Sequence, residues 1–117
     1  MNWKMNLFYT LALGYILTAQ PGLHAQVVYS TNYSSDADVK VYVTKYKSDA
    51  DLVVYKTSYK SDAGNNDGIW YFTEYKSDAK KKIYFTSYKS DATIVVYFTE
   101  YKSDAGWKNK TKQHSMY

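Results

Sequence analysis

Ser48 stands beside Asp49, and the pairing returns at Ser61 and Asp62, Ser77 and Asp78, Ser90 and Asp91, and Ser103 and Asp104. A serine next to a carboxylate is part of a nucleophile–base arrangement, provided a positioned histidine joins them. The chain has two histidines, His24 near the start and His114 beyond the last pair. The pairs recur so evenly that none stands apart, whereas a reaction centre needs one environment tuned unlike the others. These residues point away from an enzyme, and a hydrolase ranks third among the functions considered.

Asp36 with Asp38, and Asp49 with Asp51, alternate as acids do in calcium loops. Such a loop collects about six to eight oxygens around a turn glycine, and the other four corners carry Gly64, Lys80, Thr93 and Gly106 at the second position. Solvated turn acids are expected, with neither metal nor cofactor. Lys47, Lys60, Lys76, Lys89 and Lys102 share one repeat position two residues before an Asp, the pattern of a charge-compensated rim. All 15 basic residues are lysines. Without the planar fork of arginine no nucleic-acid partner is expected. The local excess of charge is Lys80-Lys81-Lys82 with Lys108, Lys110 and Lys112, read as a solvated surface and tail. Trp70 and Trp107 join twelve tyrosines at two fixed repeat positions. Tyrosines so placed are expected to pack across strands with their hydroxyls at the wet margin. Trp70 and Trp107 are the candidate ligand-contact aromatics.

What holds these residues is a repeat. The Asp of the Ser-Asp-Ala triplet falls at 36, 49, 62, 78, 91 and 104, a spacing of 13 residues interrupted once by 16. Six units thus form two sets of three, separated by Gly64-Asn65-Asn66-Asp67-Gly68. Inside a unit the alternation has period two: Tyr42, Thr44 and Tyr46 face one way, Val41 and Val43 the other. The β-branched and aromatic content suits strands, so the fold class is all-β. Each unit predicts a strand of about seven residues followed by a polar corner. The corners are Ser48-Asp49-Ala50, Ser61-Asp62-Ala63, Ser77-Asp78-Ala79, Ser90-Asp91-Ala92 and Ser103-Asp104-Ala105, with Ser35-Asp36-Ala37 before them. Their Asp carboxylates are expected to accept backbone N–H bonds. Bulky residues on both strand faces imply burial on two sides, as in a winding whose later strands lie beside earlier ones. The first unit is more polar, with Ser30 where Val43, Phe72, Phe85 and Phe98 stand elsewhere, and is expected at an edge.

The N-terminus has a different character. Lys4, an apolar run over residues 7–19 and Leu23-His24-Ala25 have the layout of a secretory signal peptide cut after Ala25. The run is too short to span a bilayer, and Gln20-Pro21-Gly22 breaks it. The expected organisation is a signal peptide over 1–25, a β-repeat domain over 26–107 and a basic tail over 108–117. The mature chain carries 14 lysines against 11 acids and no cysteine, so export would bring no disulfide.

The Val-Tyr-x-Thr-x-Tyr-Lys-Ser-Asp-Ala units, the Asp67-Gly68-Ile69-Trp70 after the central insertion and the Ala105-Gly106-Trp107 ending carry a resemblance. Over residues 28–117 the chain resembles the septoil-knot family, small, mostly bacterial β proteins whose backbone forms a seven-crossing knot. The resemblance implies that fold in two three-unit circuits. It transfers no catalytic residues, since no biochemical function is established for the family. The expected product is an exported monomer, periplasmic, on the cell surface or extracellular, with a structural or interaction role. A module binding envelope glycans or peptides through exposed aromatics is the alternative.

Overall fold

The computed structural model describes residues 25–117. The expected signal peptide therefore lies outside the described residues, apart from Ala25. Six strands are all mutually parallel: β1 (Val27–Ser30), β2 (Val39–Val43), β3 (Leu52–Lys56), β4 (Ile69–Phe72), β5 (Lys81–Phe85) and β6 (Ile94–Thr99). A two-residue strand, β7 (Gly106–Trp107), runs antiparallel to β3. The order is β4-β1-β5-β2-β6-β3, and β3 also pairs with β4, so the six close into a barrel without free edges.

The order interleaves the two halves of the chain. β5 lies between β1 and β2, and β6 between β2 and β3. The second three strands thus occupy places that the first three leave open. The register explains how connections of eight residues manage this, where parallel strands ordinarily need a dozen or more. Ser30 at the end of β1 pairs with Ile83, and Ile83 also pairs with Val39 at the start of β2. Val43 and Leu52 likewise flank Val96, Phe72 and Lys81 flank Val28, and Phe85 and Ile94 flank Val41. Each strand ends at the level where the next begins. The connection need only straddle one strand, with no return along the barrel.

The same register builds the core. Each strand is displaced by two residues on its neighbour, which brings equivalent residues of the units to one level. Val28, Val41, Val54, Trp70, Ile83 and Val96 form such a level and are fully buried. One indole among five aliphatic side chains fills the axis, and burying that much apolar surface is the main stabilising contribution.

Two expectations change at this point. The first unit is not at an edge, because β1 pairs with β4 on one side and β5 on the other. Its Ser30 has a steric reason. Phe72 of β4 and Phe85 of β5 stack at 6.5 Å with an interplanar angle of 21°, and β1 runs between their strands. A small residue on β1 leaves them room. Phe98 completes a triangle, 6.4 Å from each of the other two rings, and Lys56 places its ammonium 4.8 Å from the Phe72 ring centre.

The second change concerns residues 108–117. Lys110–Met116 form a 3-10 helix, and Met116 is fully buried within the hydrophobic core. The tail is part of the packed unit. Its anchor points lie at the starting ends of the strands: Gln26 before β1, Asp51 before β3, and Asn66 in the connection before β4. That connection, over residues 57–68, moves the chain one place instead of two. It ends at Gly68, whose φ is +91° and where a Cβ would come within 2.5 Å of the Val53 carbonyl oxygen.

Candidate functional site: the corners and their seams

The six corners share one turn, though their Thr hydroxyls donate differently: to Asp36 and Asp104 in the first and sixth, and to the Tyr carbonyl in the third, fourth and fifth. In every unit the Thr hydroxyl accepts the N–H of the Tyr two residues on, at 3.1–3.3 Å, from Thr31 and Tyr33 through Thr99 and Tyr101. The Tyr carbonyl then accepts the Asp N–H at 3.0–3.1 Å. One 3-10 turn results, as in Lys47–Asp49 or Lys89–Asp91, closed by the Ala N–H. Ser48, Ser61, Ser77, Ser90 and Ser103 lie inside these turns with their Asp partners, and Ala50, Ala63, Ala79, Ala92 and Ala105 follow as C-caps.

The Asp side chains do not hold the turns as expected. No N-cap side chain bonds the turn, and where a corner carboxylate bonds within its corner, at Asp36 and Asp104, it accepts the Thr31 or Thr99 hydroxyl at 3.4 and 3.5 Å in place of a backbone N–H. The work falls to the Thr, whose fixed place two residues before Tyr was visible in the sequence but assigned to the strand face. The acids that accept backbone N–H groups are Asp38, Asp51 and Asp67, the last from Ile69 at 3.3 Å. Asp38 accepts the Lys82 N–H at 2.9 Å and Asp51 the Val95 N–H at 2.8 Å, each at the start of a neighbouring strand. His114 faces the Thr111 carbonyl through Nδ1 at 3.0 Å.

The two tyrosine positions have separate fates. Tyr29, Tyr42, Tyr55, Tyr71, Tyr84 and Tyr97, on the strands, are half-buried. Tyr33, Tyr46, Tyr59, Tyr75, Tyr88 and Tyr101, at the corners, are each 67–71% exposed. The barrel therefore carries six exposed phenol rings around its wall. Trp70 cannot join them: it is fully buried, 6.0 Å from Phe72 and 6.4 Å from Phe98 between ring centres. As a candidate ligand contact it is withdrawn, because period two places it on the inward face. Trp107 is half-buried, and its indole N–H donates to the Asn66 carbonyl and side-chain oxygens at 3.0 and 3.1 Å.

At five of the six seams between neighbouring corners, the Lys of one corner, or Ser34 of the first, faces the Asp of the next around the barrel. Two seams are closed by ion pairs. Lys76 of the fourth corner meets Asp36 of the first, and Lys47 of the second lies 3.3 Å from Asp104 of the sixth. The hydrogen bond from Lys76 holds the Asp36 carboxyl below its usual range, and the Lys76 ammonium is pushed up in return. Three other seams form clefts. The third and fourth corners enclose one of about 270 Å³ between Lys60 and Thr73, Tyr75 and Asp78. The fifth and second enclose about 240 Å³ between Lys89 and Thr44, Tyr46 and Asp49. The first and fifth enclose about 200 Å³ between Ser34 and Thr86, Tyr88 and Asp91.

The lysine clusters are partly engaged elsewhere. Lys82 reaches Asp36 at 3.5 Å, Lys112 reaches Asp51 at 3.4 Å, and the Lys108 ammonium donates to the Lys47 carbonyl at 3.2 Å. Among the described residues no helix is long and apolar enough to cross a membrane.

The family model of the 7(1) septoil knot domain matches residues 25–108. No curated protein and no solved structure matches the chain.

Proposed function

We propose, from the fact that the chain belongs to the septoil knot domain family, that it is an exported, non-catalytic, knotted scaffold with an interaction role. The observation that carries the non-catalytic part is the sameness of the corners. In each, the Thr oxygen accepts the same backbone N–H and the backbone makes the same turn, and a reaction centre would need one corner tuned unlike the rest. Knotting is supported by the interleaving: each eight-residue connection straddles a strand from the other half of the chain. Export is supported by Lys4, the apolar run and Ala25. The interaction role is supported by six corner tyrosines held outward on a closed, rigid barrel.

A threaded chain must withdraw a terminus through a packed winding to unfold, so its resistance is kinetic. Chain 26–117 is expected to unfold slowly in urea by manual mixing and to resist protease. A version ending at Thr93, which lacks β6, should lose both properties. Millisecond unfolding of the intact chain would overturn the knotted reading. Secreted material should have the intact mass of a chain beginning at Gln26, and a mass that retains Met1 would overturn export with cleavage.

A further inference from the structure

We infer that three of the corner seams, the clefts of the third and fourth, the fifth and second, and the first and fifth corners, are equivalent subsites for neutral saccharide units of a polysaccharide. The inference rests on the interaction role proposed above and names its ligand.

Three observations carry it. The first is repetition of chemistry. Each of the three seams sets a Thr, a two-thirds-exposed Tyr and an Asp of one corner against a polar residue of its neighbour, Lys60, Lys89 or Ser34. A phenol ring offers a flat apolar face to the C–H groups of a sugar, and its hydroxyl stays wet. The carboxylate accepts from sugar hydroxyls, and Lys or Ser donates to them.

The second is charge. Glu74 and Asp78 outweigh Lys60 in one cleft, Lys45 and Lys89 outweigh Asp49 in the next, and Lys40 balances Asp91 in the third. A charged polymer would be drawn to one cleft and repelled by another. What the three share is neutral: an aromatic face with donors and acceptors beside it. The third is the contrast with the closed seams. At those, the Lys lies on the Asp of the next corner. Among the described residues Lys60, Asp78, Lys89 and Asp49 form no ion pair, so these groups face the clefts uncompensated.

Each cleft is shallow and should bind a single sugar weakly. Three on one rigid barrel, met by a polymer of repeating rings, gain by effective concentration.

The test is native gel electrophoresis of the full chain through gels containing dextran, a soluble β-glucan, xylan or glycol chitin. Polygalacturonate and polylysine serve as charged comparisons. At least one neutral polymer should retard the protein, and its short oligomers should shift the amide signals of Thr44, Tyr46, Thr73, Tyr75, Thr86 and Tyr88. Combining Tyr46→Ala, Tyr75→Ala and Tyr88→Ala should weaken retardation more than tenfold. Tyr33→Ala with Tyr101→Ala, at the closed seams, should leave it within twofold. Retardation by none of the neutral polymers overturns the inference, as does binding of the charged polymers alone. Equal loss in the two variants, or binding with shifts elsewhere, overturns the seams as the site while leaving an interaction role in place.

Discussion

Gln26 and Met116, 90 residues apart, are joined at the starting end of the barrel by a 2.7 Å bond from the glutamine Nε2 to the methionine carbonyl. Both residues are fully buried. Asn66 joins the same end, its Nδ2 donating to Gln113 at 3.0 Å and its oxygens accepting the Trp107 N–H. The two ends of the described chain and the connection between its halves are thus tied together. Met116→Ala removes a core side chain and should cost about 2–4 kcal/mol. Deleting residues 110–117 should cost at least as much. Urea titration checks both, and an unchanged midpoint in the deletion would mean that the tail does not pack in solution.

The corners give a prediction in which the acid matters less than the threonine. In the third corner Thr57 is buried and accepts the Tyr59 N–H at 3.3 Å, while the Asp62 carboxylate takes no part in the turn. Thr57→Val should cost about 1 kcal/mol for the lost acceptor, and Asp62→Ala about 0.5 kcal/mol or less. Asp51 is the contrasting acid. It accepts the Val95 N–H, the Asn109 amide at 3.2 Å and the Lys112 ammonium, so Asp51→Ala should cost about 2–3 kcal/mol. Equal losses at Asp51 and Asp62 would contradict this assignment.

How much of this was legible in the sequence follows from what a period can encode. Period two placed Val41, Trp70 and Ile83 on one face, and that face is the buried level of the barrel. The 13-residue spacing marked out the corners, which are the 3-10 turns. The extra three residues lie in the one connection that shifts the chain by a single place. What a single unit cannot show is which strand lies beside it. Ser30 looked like an edge residue because its polarity was judged against its own strand. Its neighbours Phe72 and Phe85, far along the chain, give it its reason. The tail misled for the same cause: six of residues 108–117 are Lys, Asn, Gln or His, and Met116, the one large aliphatic side chain, supplies its burial. Seam pairing was likewise hidden, because Lys76 meets Asp36 and not the Asp two residues away.

Trp70 tests the core against the surface role once considered for it. Among the described residues its buried indole N–H has no hydrogen-bond partner, so the residue stabilises by packing and not by polar contact. Trp70→Ala should cost about 3–5 kcal/mol. Trp70→Phe keeps most of the volume and removes the unpaired donor, whose burial is itself unfavourable, and should cost about 1.5 kcal/mol or less. A loss for Phe approaching that for Ala would mean that the indole N–H is bonded after all.

The last prediction concerns pH at the closed seam of the first and fourth corners. The Lys76 hydrogen bond depresses the Asp36 carboxyl, and the nearby Lys82 ammonium adds to the effect. An acid depressed by folding contributes stability that is present above its unfolded value and lost as pH falls through the lower folded one. Lys76 is raised by the same bond, so its contribution is present below the usual lysine value and fades as pH rises through the raised one. The pair therefore supports the fold between those limits and leaves it at either extreme. Both side chains are substantially exposed, so water and salt screen the effect, and the change in stability is small. The carboxyl titration is the better readout. In Lys76→Met the Asp36 midpoint, followed by the side-chain carboxyl carbon in NMR, should move upward, with Lys82 still holding part of the depression. High salt should raise it in the parent chain as well. A midpoint that does not move on removing Lys76 would mean that the seam is open in solution.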